Sequence, residues 1–297
     1  MKRLWIVLGF LTLSLPAHSD ELTVYFIPSP SGIDWSTPRS MIQDVLVAQV
    51  GGKAHSIGHV NIRIDCPTLG RTVLTGMTSE GNTEERELLF ERGYGLGILF
   101  HTFLGRLDRE NEIEPDLRAM ARERRLTSVR FAISTPTCAR LLEFYDGFVA
   151  RGDHLKYGLP NRPRYGEGAG CSAFGASFIE LAGLMNDEFR AFWSLQKRVP
   201  TALVGGPMTG ERVTVLDLLN SGKNSRWALP HLEKGWDLFF WDPDRMDAWV
   251  RDTWTRESRA PENMRRYQPG TDFGGPSLFV DARRVPTPQD PIWKSAQ

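Results

Sequence analysis

The amino-acid sequence predicts a domain of the α+β class, and three observations support this prediction. First, two runs rich in β-branched residues, VNIRID and TVLTGM, flank a turn that contains Pro67 and Gly70, which predicts an antiparallel hairpin. Second, apolar residues recur at helical spacing over residues 138–151, which predicts a helix that crosses this sheet. Third, a helical pattern begins at Cys171 and ends near Gly183, where a glycine can terminate it. Strands followed by packed helices are typical of this class.

The other elements follow from local composition. Runs of β-branched and aromatic residues predict further strands within residues 20–29 and 128–134. Thr135, followed by Pro136, is expected to be the N-cap of the next helix. Amphipathic or charged stretches predict helices or surface connectors, and these lie at residues 38–50, 81–92 and 106–126.

Residues 1–19 have the three parts of a secretory signal peptide. The basic dipeptide KR is followed by an apolar run over residues 4–15 and by the small-residue cleavage motif AHS. We expect cleavage before Asp20 and a mature protein that is periplasmic or secreted. The apolar run is short for a membrane span, so no stable membrane insertion is expected after cleavage. An uncleaved membrane anchor is the alternative.

The remainder of the chain is expected to have two parts. Residues 20–200 contain the predicted hairpin, both helices and all three cysteines, and we expect them to form one domain. Residues 201–297 have a less regular pattern in which tryptophan is concentrated, and we expect a Trp-rich C-terminal extension or subdomain. These tryptophans could stack on sugars, although core packing is the commoner use of this residue.

Composition argues against several classes of function. The 36 lysine and arginine residues balance 36 aspartate and glutamate residues, for a net charge of +0, so broad attraction to nucleic acid or to an anionic membrane is not expected. No pair of histidine, cysteine or acidic residues has zinc spacing with a second pair to complete a site. We therefore expect neither a metal nor another cofactor, and the sequence does not predict the oligomeric state.

The three cysteines, Cys66, Cys138 and Cys171, cannot all pair within one chain. In an oxidising compartment thiols tend to form disulfides, and an unpaired one is a candidate reactive group. We expect a disulfide between Cys66 and Cys138 and a free thiol at Cys171. The alternatives are three reduced, buried cysteines and a Cys171 that is half of a structural disulfide.

Cys171 and His59 have the chemistry of a nucleophile and its base. In the strand IGHVNIRI, alternation places His59 and Asn61 on one face and Val60 on the other. A neighbouring base makes a thiol nucleophilic at neutral pH, and a helix N-terminus lowers the thiol pKa further. Amides at the same helix start can stabilise an oxyanion. The alternatives are a buried core cysteine and a solvent-facing strand histidine.

Two other histidines compete with His59 for the role of base. His55 lies just before the strand, where it could line the same cleft. His101 lies in the glycine-rich segment 93–105, which could form a lid over the site. For each of them, an ordinary structural or surface role is the alternative.

Three residues are candidates for substrate binding. Arg164 and Tyr165 lie in the loop before Cys171, and an arginine fork there could bind a substrate carboxylate. Asn61 shares a strand face with His59. For the arginine loop, a solvated surface role is the alternative.

The order of these motifs, a strand histidine followed much later by a cysteine at a helix start, resembles the circularly permuted branch of the NlpC-type papain-like thiol enzymes. That branch includes relatives of lecithin retinol acyltransferase. The matching features span residues 22–185 and are Gly58-His59-Val60, the TVLTGM strand, the helix over residues 138–151, Tyr165 and Cys171-Ser172. The resemblance implies a thiolate nucleophile at Cys171, a base at His59, and amide, thioester or ester chemistry.

In that family a polar side chain on the neighbouring strand orients the histidine. Counting through the hairpin brings four polar residues near His59, and these are Thr75, Thr78, Ser79 and Glu80. The third catalytic role stays open among them, with Thr78 placed first. Because none of the four is a carboxylate in the middle of a strand, a non-catalytic descendant of the family stays open.

The sequence therefore predicts an exported cysteine hydrolase, an amidase or peptidase that forms an acyl-Cys intermediate. The compartment and the resemblance favour a peptide or acyl substrate, with peptidoglycan peptides first. Two alternatives stay open. One is a binding or scaffolding protein of the cell envelope that keeps the fold without turnover, and the other is a lipid or thioester acyl-transfer enzyme.

Overall fold

A large, mostly antiparallel sheet organises the chain. The computed structural model describes residues 19–50, 55–81, 83–220 and 226–295. In this part of the chain the sheet has eight strands, of which only β5 and β10 run parallel. In spatial order the strands are β6 (Lys156–Tyr157), β4 (Phe103–Leu107), β3 (Arg71–Ser79), β2 (His59–Cys66), β1 (Glu21–Ile27), β5 (Thr127–Ala132), β10 (Gly275–Asp281) and β9 (Gln268–Asp272).

Helices cover the two faces of the sheet, and a small second sheet pairs β7 (Ser194–Pro200) with β8 (Gly235–Trp241). The helices are α1 (Pro38–Val50), α2 (Thr83–Arg86), α3 (Glu110–Arg122), α4 (Thr135–Ala150), α5 (Cys171–Leu181), α6 (Asp187–Trp193), α7 (Val215–Asn220) and α8 (Pro243–Arg259). None of the helices in the described residues has the length and apolar character needed to cross a membrane. The chain is thus a mixed α+β protein, as predicted.

The predicted hairpin is confirmed as β2 and β3. Asn61 pairs with Gly76 and Cys66 pairs with Arg71, and a 3₁₀ turn over Pro67–Leu69 connects the strands. The apolar residues of β2 are buried on the side of the sheet that packs against α4 and α5. This alternation fixes the register, because a shift of one residue would turn every apolar side chain away from the core.

The main core lies between one face of the sheet and the helices α4, α5 and α8. It includes aromatic side chains from the sheet and from each of these helices, among them Phe26, Phe144, Phe174 and Trp249. On the other face α3 packs over a smaller cluster with Tyr25 and Leu74. The segment 106–126, predicted as a connector or surface helix, is therefore helical over α3.

The disulfide end of β2 is tied to α4. Cys66 and Cys138 form a disulfide with their Cα atoms 6.1 Å apart, as predicted, and Cys171 is free. The N-cap of α4 is Ser134, whose side chain accepts from the Thr137 amide. The prediction of Thr135 as N-cap was therefore one residue late.

The C-terminal third contributes to the same sheet. Strand β10 pairs with β5, and β9 forms the sheet edge. Helix α8 packs on β1, β5 and β10, so the boundary predicted at residue 200 does not coincide with an edge of the main sheet. Trp249 is buried among Trp193 and Tyr267, which is the core use of tryptophan. The predicted signal peptide lies outside the described residues except for Ser19.

Candidate functional site

Cys171 is the first residue of α5, at the end of the helix where main-chain amides are unpaired. Its side chain is 6% exposed. The helix lies close to the sheet because Gly175 has no side chain, since a Cβ there would come within 2.6 Å of Val60 Cγ1. The thiol is thus held at a helix N-terminus directly over the start of β2.

His59 is the first residue of β2 and is 5% exposed. Its Nε2 lies 2.8 Å from Oδ2 of Asp108. The ring also interacts with the side chain of Cys171, and each group shifts the pKa of the other. The structure therefore brings together the predicted pair and adds a carboxylate on the far side of the imidazole.

Asp108 directly follows β4, and its backbone is fixed by two hydrogen bonds to β3. Its amide donates to the Gly76 carbonyl at 3.0 Å, and its carbonyl accepts from the Thr75 hydroxyl at 3.1 Å. Arg106 lies 3.7 Å from its other carboxylate oxygen. The carboxylate is 13% exposed, so the group that orients His59 is itself rigid.

Gly76 makes room for this carboxylate. A Cβ at this position would lie 2.6 Å from Asp108 Oδ2 and 2.3 Å from Asn61 Nδ2. Asn61 is buried, and its amide donates to Asp108 at 3.3 Å. Asn61 was predicted to bind substrate, but the structure places it as a partner of the His59–Asp108 pair.

The charges of the site favour a thiolate and an imidazolium. Burial by itself would lower the pKa of His59, but the hydrogen bonds to Asp108 and Cys171 outweigh it and raise the pKa to about 10. Burial would raise the pKa of Cys171, yet the hydrogen bond and charge of His59 bring it below its usual value. The pKa of Asp108 is also lowered, against burial, by its bond to His59.

Tyr157, on the edge strand β6, completes the surroundings of the thiol. Its hydroxyl and the Val60 amide both interact with Cys171 and help to lower the pKa of the thiol. Burial and the neighbouring thiolate charge raise the pKa of Tyr157 well above its usual value. The hydroxyl therefore stays protonated and can donate a hydrogen bond to negative charge on sulfur or on a neighbouring oxygen.

Thr78, the residue first considered for the third role, lies on β3 where this strand pairs with β4. It pairs with Arg106 on β4, two residues beyond Gly76. The position next to the His59 ring is taken by Asp108, which arrives from the following strand. Of the four polar residues considered, Thr75 reaches the site, through its bond to the Asp108 carbonyl.

Arg164 and Tyr165 lie on the opposite side of α5 from the thiol. They line a groove that also includes Ala173 and Ser177. Cys171 precedes Ala173 by two residues, which is a rotation of about 200° around a helix axis. The two predicted substrate-binding residues and the nucleophile therefore face different directions.

The donors of Arg164 are also occupied within the chain. Arg164 is 4% exposed and pairs with Glu180 at 2.9 Å and with Asp290 at 2.7 Å. Its Nε donates to the Ile292 carbonyl. The expectation of a carboxylate-binding fork was wrong because this guanidinium ties the C-terminal segment to α5.

The competing histidines are both engaged elsewhere. His55 Nε2 lies 2.7 Å from Asp116, and its ring stacks on that of His59. His101 lies 3.1 Å from Glu84. Neither contacts the thiol, so His59 is the candidate base.

Asp108 and Tyr157 were missed by the sequence analysis. Asp108 is the first residue after the apolar strand FLGRL and could have been found as an acidic residue at a strand end. It was instead included in a charged connector. Tyr157 opens the loop that leads to Cys171 and carries no signal in the sequence alone.

Within the described residues no group of three or more histidine, cysteine or acidic side chains could hold a metal ion. No family model, no curated protein and no solved structure matches the chain. The functional argument therefore depends on the geometry of the site itself.

Proposed function

We infer that this protein is a cysteine hydrolase of the amidase or peptidase type, with Cys171 as nucleophile, His59 as general acid and base, and Asp108 as the group that orients His59. The observation that carries the inference is the chain of contacts from a thiol at a helix start, through a buried imidazole, to a buried carboxylate. A nucleophile, a base and an orienting group in this arrangement define acyl-transfer chemistry on many folds.

The first half of the reaction forms an acyl-enzyme. The Cys171 thiolate attacks the substrate carbonyl carbon, and the π electrons move onto the carbonyl oxygen. The main-chain amide of Cys171 and the Tyr157 hydroxyl are the proposed donors to this oxyanion. The His59 imidazolium then protonates the leaving nitrogen, the carbon–nitrogen bond breaks, and a thioester with Cys171 remains.

The second half of the reaction releases the acyl group. Neutral His59 takes a proton from water, whose oxygen attacks the thioester carbon. The carbon–sulfur bond breaks, and the thiolate–imidazolium pair is restored as the carboxylic acid leaves. Asp108 keeps the imidazole oriented and stabilises its charged form in both halves.

The substrate proposed first is a peptide of the bacterial cell wall. This choice depends on the predicted export of the chain and on the resemblance of its motif order to permuted NlpC-type enzymes. The arrangement of β2, β3 and α5 is compatible with that family, because the hairpin carries the histidine and the helix carries the cysteine. A papain-like core with a C-terminal extension is part of the same proposal.

The first test measures the reactivity of Cys171 with iodoacetamide across pH, located by peptide mass. Wild-type protein should label at Cys171 with a midpoint well below the free-thiol pKa of about 8.5. His59→Ala should react about 30-fold more slowly at pH 7, because only about 3% of an ordinary thiol is ionised there. Equal rates in both proteins would remove the pair from the mechanism.

The second test measures turnover on peptidoglycan fragments by mass spectrometry. Amide cleavage that is lost in Cys171→Ala would support the hydrolase, and addition of hydroxylamine would divert the acyl group to a hydroxamate. Product that forms only with an amine or alcohol acceptor would instead identify an acyl-transfer enzyme. A reactive thiol without any turnover on peptides, esters or thioesters would favour the binding protein.

A further inference from the structure

A second histidine–aspartate pair lies against the candidate site. The rings of His55 and His59 are stacked with their centroids 4.7 Å apart and their planes 18° apart. His55 Nε2 lies 2.7 Å from Oδ2 of Asp116 in α3. The mechanism above uses neither His55 nor Asp116.

His55 is held at this place by its backbone as well as by its ring. Its carbonyl accepts from the Gly58 amide at 3.0 Å and from Arg125 Nη2 at 3.3 Å. Its φ is +56°, in the left-handed region that non-glycine residues seldom adopt. Strained residues cluster at functional sites, where the surrounding contacts keep them in place.

The stack restricts a motion of His59 that its two polar contacts do not restrict, which is the tilt of the ring. Bonds to Asp108 and Cys171 lie in the plane of the imidazole, so they do not prevent the ring from tilting about the line that joins them. A parallel ring against the face of His59 opposes this tilt.

We propose that His55, anchored by Asp116, is a positioning residue that fixes the plane of the His59 imidazole between Asp108 and Cys171. The proposal rests on the proposed function and adds a residue to its machinery. The titratable groups near His55 are Asp116 from α3, His59 from β2, and Asp108, which directly follows β4. Arg125 contacts the His55 carbonyl.

The test compares two substitutions that separate the effect of the stacked ring from the effect of the hydrogen bond to Asp116. His55→Asn keeps a residue type that tolerates a positive φ and can still bond Asp116, but it removes the ring. His55→Phe keeps a stacking ring and removes the bond to Asp116. Asp116→Asn loosens the anchor at nearly constant shape, and thermal unfolding of each variant reports whether it is folded.

The readouts are the pH midpoint and the rate of Cys171 alkylation by iodoacetamide. We expect His55→Asn to move the midpoint toward the free-thiol value of about 8.5 and to slow alkylation at pH 7 by about tenfold, which is about one pKa unit. His55→Phe, which can stack without an anchor, should fall between His55→Asn and wild type, and Asp116→Asn, which keeps the ring and a weakened bond, should lie nearest to wild type. A merely structural role would lower the melting temperature without moving the midpoint.

Two results would overturn the positioning role while leaving the proposed function intact. A folded His55→Asn protein with a wild-type midpoint would show that the stack does not matter. Equal shifts in His55→Asn and His55→Phe would show that the imidazole chemistry matters and the ring plane does not. If wild-type Cys171 itself titrates like a free thiol, the proposed function fails, and the role of His55 fails with it.

Discussion

The two ends of strand β2 have different roles in the molecule. At its start, His59 lies in a buried polar cluster with Asp108 and Cys171. At its end, Cys66 is bonded to Cys138 of α4. One end carries reactive groups held by hydrogen bonds, and the other end carries a covalent tie that takes no part in the site.

The difference shows how this fold divides reactivity from stability. Buried charges cost free energy unless they are paired. We therefore expect the His59 end of β2 to contribute less to the free energy of unfolding than the rest of the sheet. A disulfide stabilises the chain by restricting its unfolded state. The covalent end can therefore support a strand whose other end is committed to chemistry. Changes at each end should have separable effects.

The largest effect is expected from removal of the disulfide by Cys66→Ser with Cys138→Ser. The bond closes a loop with a sequence separation of 72, which corresponds to about 4 kcal/mol in the free energy of unfolding on the chain-entropy model. Urea unfolding should show this loss. The alkylation midpoint of Cys171 should stay at the wild-type value while the protein is folded, and a shifted midpoint would show that the two ends are coupled.

The next largest effect is expected at the His59 end, from Asp108→Asn. The amide cannot stabilise the imidazolium as the carboxylate does, so the Cys171 alkylation rate at pH 7 should fall by about tenfold, or about 1.4 kcal/mol. Thr78→Val is the comparison variant, because Thr78 is the residue first considered for the third role and pairs with Arg106 on β4. A larger loss in Thr78→Val than in Asp108→Asn would return the third role to the residue first predicted from the sequence.

This contrast also shows what the sequence can predict. The hairpin and the helix at Cys171 could be predicted because alternation and helical spacing are local patterns. The pairing of Cys66 with Cys138 could be predicted because, of the three cysteines, Cys171 was expected to be the free, reactive thiol. Asp108 could not be placed, since its contact with His59 depends on where β4 joins the sheet, 49 residues further along.

The orientation of the Arg164 side chain could not be predicted from the sequence either. Its partners Glu180 and Asp290 lie in α5 and in the C-terminal segment, and a local motif does not specify such distant pairs. The loop before Cys171 was read by its residue types alone, and these types serve a structural ion pair as well as a substrate site. A site residue is thus predictable when its neighbours in sequence are also its neighbours in space.

The pH dependence of the free energy of unfolding should also distinguish the two ends of β2. The raised pKa of His59 adds stability that is present below about pH 6.5 and is lost as the pH rises toward about 10. The lowered pKa of Cys171 adds stability that is present above about pH 8.5 and is lost as the pH falls. Between these values the two slopes cancel, and below about pH 6.5 the loss from Cys171 remains.

Between pH 7.5 and pH 5.5 the free energy of unfolding should therefore fall more in wild type than in His59→Gln. In His59→Gln the thiol has no imidazolium partner, so its pKa is no longer lowered and the acid loss disappears. Urea unfolding at the two pH values measures the difference. The disulfide variant should keep the wild-type pH dependence, and parallel pH curves for wild type and His59→Gln would contradict a thiolate–imidazolium pair.

The smallest effect expected comes from Gly76→Ala, which tests how tightly the cluster is packed. The added Cβ would lie 2.6 Å from Asp108 Oδ2 and 2.3 Å from Asn61 Nδ2, so both side chains must move by a few tenths of an ångström or more. Misplacement of the carboxylate should slow Cys171 alkylation at pH 7 by about threefold, less than its removal does. Gly270→Ala is the control, because a Cβ there meets nothing within 4 Å. Gly76→Ala could lower the free energy of unfolding, unlike Gly270→Ala, and still leave alkylation unchanged. That result would show that Asp108 can adapt its position and that the His59 end of β2 is not rigid.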